Sequence, residues 1–376
     1  IAYDDVTESG YHTGKTEIIV DGTLHCIGTA NDTIQFRRIG DNGGHTWGPI
    51  VIRGADSTPE VQLEYCNFQN MTSFVESQTG ANDCSLVISN CDVETVGDGI
   101  LLGLSTDGST ISVDNLTLDC LSVGNYGVRV VSPVQANPQV DINTTTITGY
   151  STCIEIGSGS NTSINELTIN DATGVGVFVS RGLDQISDVT VDNASYVGVL
   201  HNTTDAVQYS NINISNCGLH GMYLMDPESG TSVENTTITQ CGSNGIRVED
   251  GQLSINPGVN ISNSGQINLY VDAANVVING SSFSGGGGCI EIVNGGHAQI
   301  ANCIFSASYY GVAAGIATAD LSGGGSQFNG ITGYFLMNGN PNETMVATGN
   351  CYNGSESPRS SKFIGVGPTV YLPASC

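Results

Sequence analysis

The feature that most constrains this chain is a tetrapeptide, small residue–apolar–any–apolar, that returns at steps of 21 to 28 residues. It is clear at Gly99-Ile100-Leu101-Leu102 and begins again at Gly127, Cys153, Gly176, Gly198, Gly221, Gly245, Gln266, Cys289, Gly311 and Gly333. An apolar ladder upstream of the copies settles to steps of 22 to 24 residues: Phe68, Val93, Leu118, Ile147, Ile169, Val191, Ile214, Ile238, Ile261, Phe283, Phe305 and Phe328. Two ladders in phase predict one structural unit repeated along the chain.

The spacing of the repeat decides how its strands can pair. Each copy alternates with period two, which indicates a strand with one buried face. A step of about 22 residues leaves no room for a crossover helix, so each turn of chain must pair in parallel with the next. Polar residues that tolerate positive φ recur three positions before the ladder and predict corners with stacked amides: Asn90, Asn115, Asn211, Asn235, Asn302 and Asp188. The sequence predicts an all-β parallel solenoid of about 12–14 coils.

Other repeat architectures lack their signatures in this chain. Propeller blades are longer and carry Trp-Asp pairs, and leucine-rich repeats need a Leu/Asn framework. Calcium-binding roll repeats need an Asp after their glycines, which Gly285–Gly288 and Gly323–Gly325 lack. These classes are excluded.

The coils and the segment Trp47–Ile52 resemble the right-handed parallel β-helix superfamily of pectate-lyase-like and related surface proteins, over roughly residues 45 to 340. The resemblance implies a right-handed β-helix, and it is nearly silent on function because one fold serves many activities. We expect residues 1–45 to form an N-terminal cap and first irregular coils, 46–337 the repeats, and 338–376 a C-terminal cap or tail.

The charge of the chain bears on its partners. A net charge of −27, with only 9 Lys and Arg residues, excludes nucleic acid as a partner and argues against an anionic membrane surface. No apolar run reaches membrane-spanning length, and no cofactor or metal motif is present. The chain begins at Ile1 rather than Met, as after removal of a signal peptide. We expect an extracellular, cell-surface location.

The 12 cysteines predict disulfides because no two form a C-x-x-C pair, the spacing of zinc or redox sites. Three pairings follow from the repeat frame and from the tail: Cys66–Cys91, Cys217–Cys241 and Cys351–Cys376. The first two join equivalent positions on neighbouring coils, and a stack of free thiols is the alternative. The other six cysteines cannot be paired from the sequence, and some could bridge subunits.

Thirteen N-x-S/T sequons predict a glycoprotein. Their asparagines are Asn31, Asn70, Asn115, Asn143, Asn161, Asn193, Asn202, Asn213, Asn235, Asn260, Asn279, Asn342 and Asn353.

Catalytic motifs of the resembled superfamily are incomplete here. The polysaccharide hydrolases of that superfamily use motifs similar to the fragments Asn202–Asp205, Leu219–Gly221 and Ile246–Val248. The adjacent Asp pair expected between the first two is missing, the third lacks its Lys, and the repeat itself accounts for the Gly and Ile. Five of the 6 histidines, His25, His45, His201, His220 and His297, show no metal-ligand spacing. We therefore assign no catalytic residue and favour a protein that is not an enzyme.

The outward positions of the tetrapeptide are the natural place for a binding surface. They are Leu101, Arg129, Glu155, Phe178, Leu200, Tyr223, Arg247, Asn268, Glu291, Ala313 and Phe335. Arg129 with Glu155 predicts a cross-strand ion pair, and Arg247 with Glu291 a similar network. Apolar side chains on such a face indicate an interface, unless a loop of the same chain covers them: Leu101, Phe178, Leu200, Tyr223 and Phe335.

The leading hypothesis is an extracellular structural protein that self-assembles into a cell-surface layer, sheath or filament. The composition of the chain is similar to that of archaeal cell-surface β-helix proteins, including those of methanogen sheaths. The expected partners are further copies of the chain and cell-surface glycans. One alternative is a β-helix polysaccharide lyase or glycoside hydrolase, for which the acidic charge favours neutral over anionic glycans. A second alternative is a glycan-binding adhesin module.

Overall fold

The computed structural model describes residues 11–12, 15–37, 46–53, 58–77, 83–104, 108–132, 138–157, 162–181, 185–352 and 362–373. The chain divides into two compact units, Ile1–Thr190 and Val191–Cys376. Their described residues form a parallel β-solenoid of about 12 turns, so the predicted fold class is confirmed. None of the described segments is a helix with the length and apolar character needed to cross a bilayer.

Unit 1 contains the first fourteen strands and the start of the fifteenth. They are β1 (Ile18–Val20), β2 (Thr23–Ile27), β3 (Ile34–Phe36), β4 (Ile50–Ile52), β5 (Glu60–Glu64), β6 (Cys66–Met71), β7 (Val75–Ser77), β8 (Ser85–Thr95), β9 (Ile100–Gly103), β10 (Thr110–Val131), β11 (Gln139–Gly157), β12 (Thr162–Asn170), β13 (Val175–Val179), β14 (Gln185–Ser187) and β15 (Val189–Asp192). The long strands β10 and β11 run through the corners that separate shorter strands elsewhere, and they pair in parallel from Thr110↔Gln139 to Val131↔Gly157.

Unit 2 is more regular, with up to three short strands in each coil. Its strands are β16 (Val197–Asn202), β17 (Gln208–Ser210), β18 (Asn213–Ser215), β19 (His220–Met225), β20 (Ser232–Glu234), β21 (Thr237–Thr239), β22 (Ile246–Glu249), β23 (Gln252–Ile255), β24 (Asn260–Ser262), β25 (Ile267–Asp272), β26 (Asn275–Asn279), β27 (Ser282–Ser284), β28 (Gly288–Val293), β29 (His297–Ala301), β30 (Ile304–Ser306), β31 (Tyr310–Ala314), β32 (Thr318–Asp320), β33 (Gln327–Asn329), β34 (Tyr334–Asn338), β35 (Met345–Tyr352), β36 (Phe363–Gly365) and β37 (Thr369–Pro373). The first strand of each coil pairs in parallel with the first strand of the next.

The apolar ladders form the core of each unit, as predicted. The twelve ladder residues from Phe68 to Phe328 are all buried. In unit 2, Phe283 and Phe305 stack with ring centroids 5.7 Å apart, and Phe305 and Phe328 stack at 4.6 Å. In-register parallel pairing places identical side chains one above another, so the rings continue from coil to coil.

The corners of the coils also lie at the residues that the sequence predicts. The six predicted corner residues all have φ between 46° and 55°, a region that Asn and Asp tolerate better than most residues. The amide of Asn115 donates to Oδ1 of Asn90 over 2.8 Å, and Asn302 donates to Asn279 over 2.9 Å. The stacked amides therefore hydrogen-bond along each unit from one coil to the next.

Parallel pairing of the described strands begins at Ile18 and ends at Pro373, and so includes parts of the segments predicted as the first irregular coils and as the C-terminal cap or tail. Two copies of the tetrapeptide lie in a different register from the predicted one. Arg247 pairs with Tyr270, not with Asn268, and Ala313 pairs with Met337, not with Phe335.

Candidate functional site

The outer face of one sheet in unit 2 carries a row of aromatic and charged side chains. The row runs over consecutive coils through β16, β19, β22, β25 and β28, and in-register pairing places its members side by side. Its residues, all half-buried, are Leu200, Tyr223, Arg247, Tyr270 and Glu291. These side chains lie on the outer face because the alternate positions of each strand fill the core.

Arg247 lies between two tyrosines. Its guanidinium carbon is 5.4 Å from the ring centroid of Tyr223 and 5.3 Å from that of Tyr270. Both distances fall within the range of cation–π attraction. Glu249, two residues along the same strand, accepts a 2.8 Å hydrogen bond from Arg247 Nε and a 2.5 Å hydrogen bond from the Tyr223 hydroxyl.

These contacts set the protonation states of the three groups. Burial opposes ionisation of Glu249, but the hydrogen bonds from Tyr223 and Arg247 outweigh it and lower its pKa. Burial and the Glu249 carboxylate together raise the pKa of Tyr223 to about 12. The pKa of Arg247 is raised because its bond to Glu249 outweighs burial. At neutral pH the cluster holds a carboxylate, a neutral phenol and a guanidinium.

His220 lies beneath this cluster with its side chain buried. Its ring meets that of Tyr223 edge to face, with centroids 5.5 Å apart, and its Nδ1 accepts the N–H of Asn244 over 3.4 Å. Burial, followed by the charge of Arg247, lowers the pKa of His220 to about 4. His220 is therefore neutral at physiological pH.

A second carboxylate lies two coils beyond Arg247. Glu291 follows Tyr270 in the row, and its Oε2 accepts a 2.9 Å hydrogen bond from the Tyr310 hydroxyl. The Tyr310 ring covers Gly288, where an added Cβ would come within 2.2 Å of it. Burial and Glu291 raise the pKa of Tyr310. Only a glycine at position 288 lets the phenol cross the sheet to reach Glu291.

The row thus combines aromatic faces, one guanidinium and carboxylates. Asp272 pairs with Glu249 in the neighbouring column, and the charges of Asp272 and Glu291 both act on Tyr270. Flat rings can stack against sugar rings, while carboxylates and a guanidinium can hydrogen-bond hydroxyl groups. Among the described residues, no cluster of three or more His, Cys, Asp or Glu side chains could hold a metal ion.

Unit 1 has a smaller counterpart on the equivalent strands. Arg129 Nε donates to Oε2 of Glu155 over 2.9 Å, so the predicted cross-strand ion pair is confirmed. The Arg129 guanidinium also lies 4.9 Å from the ring centroid of Tyr126. The second predicted pair is wrong, because Arg247 bonds Glu249 on its own strand rather than Glu291.

The structure brings together parts of two of the three hydrolase-like fragments. His220 and Arg247 meet at the cluster described above, on adjacent coils. The remaining fragment, Asn202–Asp205, does not take part: His201, which directly precedes it, is buried, with Nδ1 2.8 Å from the Tyr209 hydroxyl and Nε2 2.8 Å from the carbonyl of Thr203. Both ring nitrogens of His201 are occupied by the fold itself, which is a structural role.

Four of the five residues of the predicted apolar interface lie on outer faces, and the interface itself stays a prediction. Leu101, Phe178, Leu200 and Tyr223 lie on the outer faces and are half-buried. Phe335, in contrast, is only 2% exposed and packs against Tyr352 with ring centroids 5.2 Å apart, because the register shift turns Met337 outward in its place. The same kind of shift buries Asn268 and brings Tyr270 into the row. Sequence reasoning missed Tyr270 and Tyr310 because both lie where the repeat permits any residue.

Two of the predicted disulfides are wrong. Cys66, Cys91, Cys217 and Cys241 carry free thiols. In-register stacking keeps their Cα–Cβ bonds parallel at roughly 4.8 Å, whereas a disulfide needs Cβ atoms roughly 3.8 Å apart. A hydrogen bond between thiols, with burial, raises the pKa of Cys66 next to Cys91. Cys351 is disulfide-bonded, and its predicted partner Cys376 lies outside the described residues.

The predicted glycosylation sites are mostly accessible. Eleven of the thirteen sequon asparagines are described, and all of these are exposed except Asn143, which is half-buried. Asn161 and Asn353 lie outside the described residues. Glycosylation of these asparagines stays a prediction.

Comparisons with known proteins agree with the solenoid. The sequence family described as "Right handed beta helix region" matches residues 176–355. A search of curated proteins finds no match to this sequence.

Two solved structures are similar at low identity. One is the A-module of the mannuronan C-5 epimerase AlgE6 from Azotobacter vinelandii, with 12% identity, TM-score 0.39, and coverage of 88% of this chain and 91% of that chain. The other is the periplasmic alginate epimerase AlgG, with 10% identity, TM-score 0.35, and coverage of 86% and 77%. Similarity at this level carries no argument about activity or substrate. The parallel coils and the family match over residues 176–355 together support a right-handed β-helix repeat protein.

Proposed function

We propose that unit 2 binds a neutral polysaccharide along the outer face of β19, β22, β25 and β28 and hydrolyses it there. The observation that carries the proposal is Arg247 held between the rings of Tyr223 and Tyr270 and hydrogen-bonded to Glu249. An extended glycan offers a stacking face on each sugar unit, and the coils offer side chains at a regular spacing of about 4.8 Å. A face with this repeat suits a polymer better than a small compact ligand.

The charge of the row favours a neutral substrate. Glu249 neutralises Arg247, and Asp272 and Glu291 add two further carboxylates near Tyr270. An anionic polysaccharide would meet this surplus on a chain of net charge −27. A neutral glycan avoids that repulsion, and its hydroxyl groups can donate to the carboxylates.

We assign the two proton transfers of the hydrolysis to two glutamates of the row and its neighbouring column. Glu249 is ionised, which suits the activation of a water molecule. Glu291, whose Oε2 accepts a hydrogen bond from the Tyr310 hydroxyl, is assigned as the general acid, which protonates the leaving glycosidic oxygen once it has itself taken up a proton. Their strands are two coils apart, roughly 10 Å along the axis, which is nearer to the wide carboxyl separation of inverting glycosidases than to the narrow separation of retaining ones. In that reaction water adds to the anomeric carbon, its proton passes to Glu249, and the leaving oxygen takes a proton from Glu291.

A panel of neutral and uronate polysaccharides tests both parts of the proposal. We expect the wild-type protein to bind a neutral glycan and to release oligosaccharides from it. Tyr270→Ala should lose binding, whereas Glu249→Gln and Glu291→Gln should retain binding and lose release. Glu234→Gln, on β20 of another sheet, is the matched control. Binding without release by the wild type would support the adhesin alternative, and preference for uronates would contradict the charge argument.

Self-assembly into a surface layer, sheath or filament stays a separate prediction, as does an archaeal, extracellular setting. Electron microscopy of the purified protein tests the assembly directly. Ordered polymers that persist under non-reducing conditions would support it. A monodisperse monomer would contradict it without bearing on the glycan proposal.

A further inference from the structure

A cluster of three tyrosines lies beyond Glu291 on unit 2. Tyr310 and Tyr334 pair in register at the starts of β31 and β34, and Tyr309 directly precedes Tyr310. The ring of Tyr309 meets Tyr310 edge to face at 6.5 Å and Tyr334 at 5.8 Å between centroids. The side chain of Tyr309 is nevertheless 54% exposed.

A glycine on the adjacent coil shapes this cluster. An added Cβ at Gly333 would come within 2.7 Å of the Tyr309 ring, so the ring lies directly over the backbone of that coil. Contacts on the underside and edges hold the ring, while about half of its surface faces solvent. Little side-chain entropy remains to be lost when a ligand covers the exposed part.

The cluster is joined to the candidate site by its own members. Tyr310 reaches from the cluster to Glu291 through its hydroxyl, and Glu291 is the in-register neighbour of Tyr270. From β25 to β31 there are two coils, or roughly 10 Å along the axis. The row itself continues from Glu291 to Ala313, and Tyr309 lies four residues before Ala313, so a chain that stacks on Tyr270 reaches Tyr309 by running diagonally across the face past Glu291 and Tyr310.

We propose that Tyr309, supported by Tyr334, is a distal sugar-stacking subsite through which unit 2 selects long glycan chains over short ones. The inference rests on the proposed function, because it assumes that glycan binds at Tyr270. A purely structural role does not explain Tyr309, since its ring covers Gly333 and yet leaves half of its own apolar surface in water.

Binding as a function of chain length tests this subsite. Calorimetric titration would use cello-oligosaccharides and N-acetylated chito-oligosaccharides from the disaccharide to the hexasaccharide. We expect the wild type to gain affinity with length, and Tyr309→Ala to lose about 3- to 10-fold of affinity for the hexasaccharide with no change for the disaccharide. Tyr309→Phe should retain the gain, because stacking needs the ring and not the hydroxyl.

Ile316→Ala is the matched control, since Ile316 is an exposed apolar residue outside the row at 75% exposure. Thermal unfolding of each variant shows whether the fold is intact. Equal length dependence in Tyr309→Ala and the wild type would overturn the distal subsite while leaving the proposed function in place. Absence of wild-type binding to every oligosaccharide would overturn both. An equal loss for the disaccharide and the hexasaccharide would place Tyr309 in the primary site and contradict chain-length selection.

Discussion

The hydroxyl of Tyr310 donates a 2.9 Å hydrogen bond to Oε2 of Glu291, and the ring between them lies over Gly288. Two coils contribute to this contact, and Glu291 is also the in-register neighbour of Tyr270 on a third coil. The position of the Glu291 carboxylate therefore depends on Gly288, because only the absence of a side chain there leaves room for the Tyr310 ring.

We expect Gly288→Ala to displace Tyr310 and release Glu291. An added methyl group would overlap the ring, and overpacking of this kind costs about 1–3 kcal/mol of unfolding free energy. Chemical denaturation measures the stability, and glycan release measures the effect on Glu291. Gly315→Ala is the control, because a Cβ there would meet its neighbours at 3.6 Å, an ordinary contact. Equal stability of the two variants would contradict the role assigned to Gly288.

His220 should make folding stability depend on pH. Its pKa is about 4 in the folded chain against an ordinary value of 6.5, so only the unfolded state takes up this proton as the pH falls between these values. Stability is therefore full above pH 6.5 and declines toward pH 4, on the order of 2–3 kcal/mol in total for this group. The measurement is the unfolding free energy of the wild type and of His220→Asn across that range.

The difference between the two proteins isolates His220 from the many carboxylates that titrate nearby. His220→Asn should decline less steeply than the wild type, whereas His25→Asn, at an exposed histidine of unit 1, should follow the wild type. Parallel curves for the wild type and His220→Asn would show that the imidazole is accessible to protons in the folded chain.

The stacked cysteines should be free in the purified protein. Alkylation after denaturation without reductant should label Cys66, Cys91, Cys217 and Cys241, and peptide mass spectrometry identifies the labelled sites. Under native conditions the same thiols should react slowly, because they are buried and a thiolate is the reactive form. Recovery of a Cys217–Cys241 linked peptide from unreduced protein would show that the corner distorts to form the bond.

The aromatic stack in unit 2 should contribute strongly to stability. Phe305 contacts Phe283 and Phe328 on the neighbouring coils, and Phe305→Ala should cost about 3–5 kcal/mol of unfolding free energy. Ile304→Ala, at the exposed residue next to it, should change stability by about 0.5 kcal/mol or less. Urea denaturation of the two variants gives the comparison, and similar losses would mean that the rings are not the main contribution of this strand.

Most of the fold could be read from local pattern. Alternation at a constant step gives parallel coils, and the corner asparagines could be identified because few residues tolerate their φ. The predicted register was wrong only at copies of the tetrapeptide where the alternation of apolar residues was ambiguous. The segment around Ile267 and Leu269 satisfies the alternation in two frames, so Tyr270 was missed and Asn268 was placed on the outer face.

The candidate site could be predicted far less well. Its members come from five coils, and the repeat accepts any residue at the outward positions, so no local signal distinguishes Tyr223 or Glu291 from a solvated side chain. The pairing of Arg247 with Glu249, rather than with Glu291, depends on which rotamer the neighbouring tyrosines allow.

The amino-acid sequence by itself determined that this chain coils in parallel and buries its aliphatic ladder, because backbone pairing and apolar burial follow from spacing alone. Tertiary structure alone decided which outward side chains meet, that the thiols of Cys217 and Cys241 stack without bonding, and that Tyr310 crosses Gly288 to reach Glu291. Those outcomes depend on differences of a few tenths of an ångström to a few ångströms in the distances between side chains on neighbouring coils. The repeat pattern of the sequence does not contain this information.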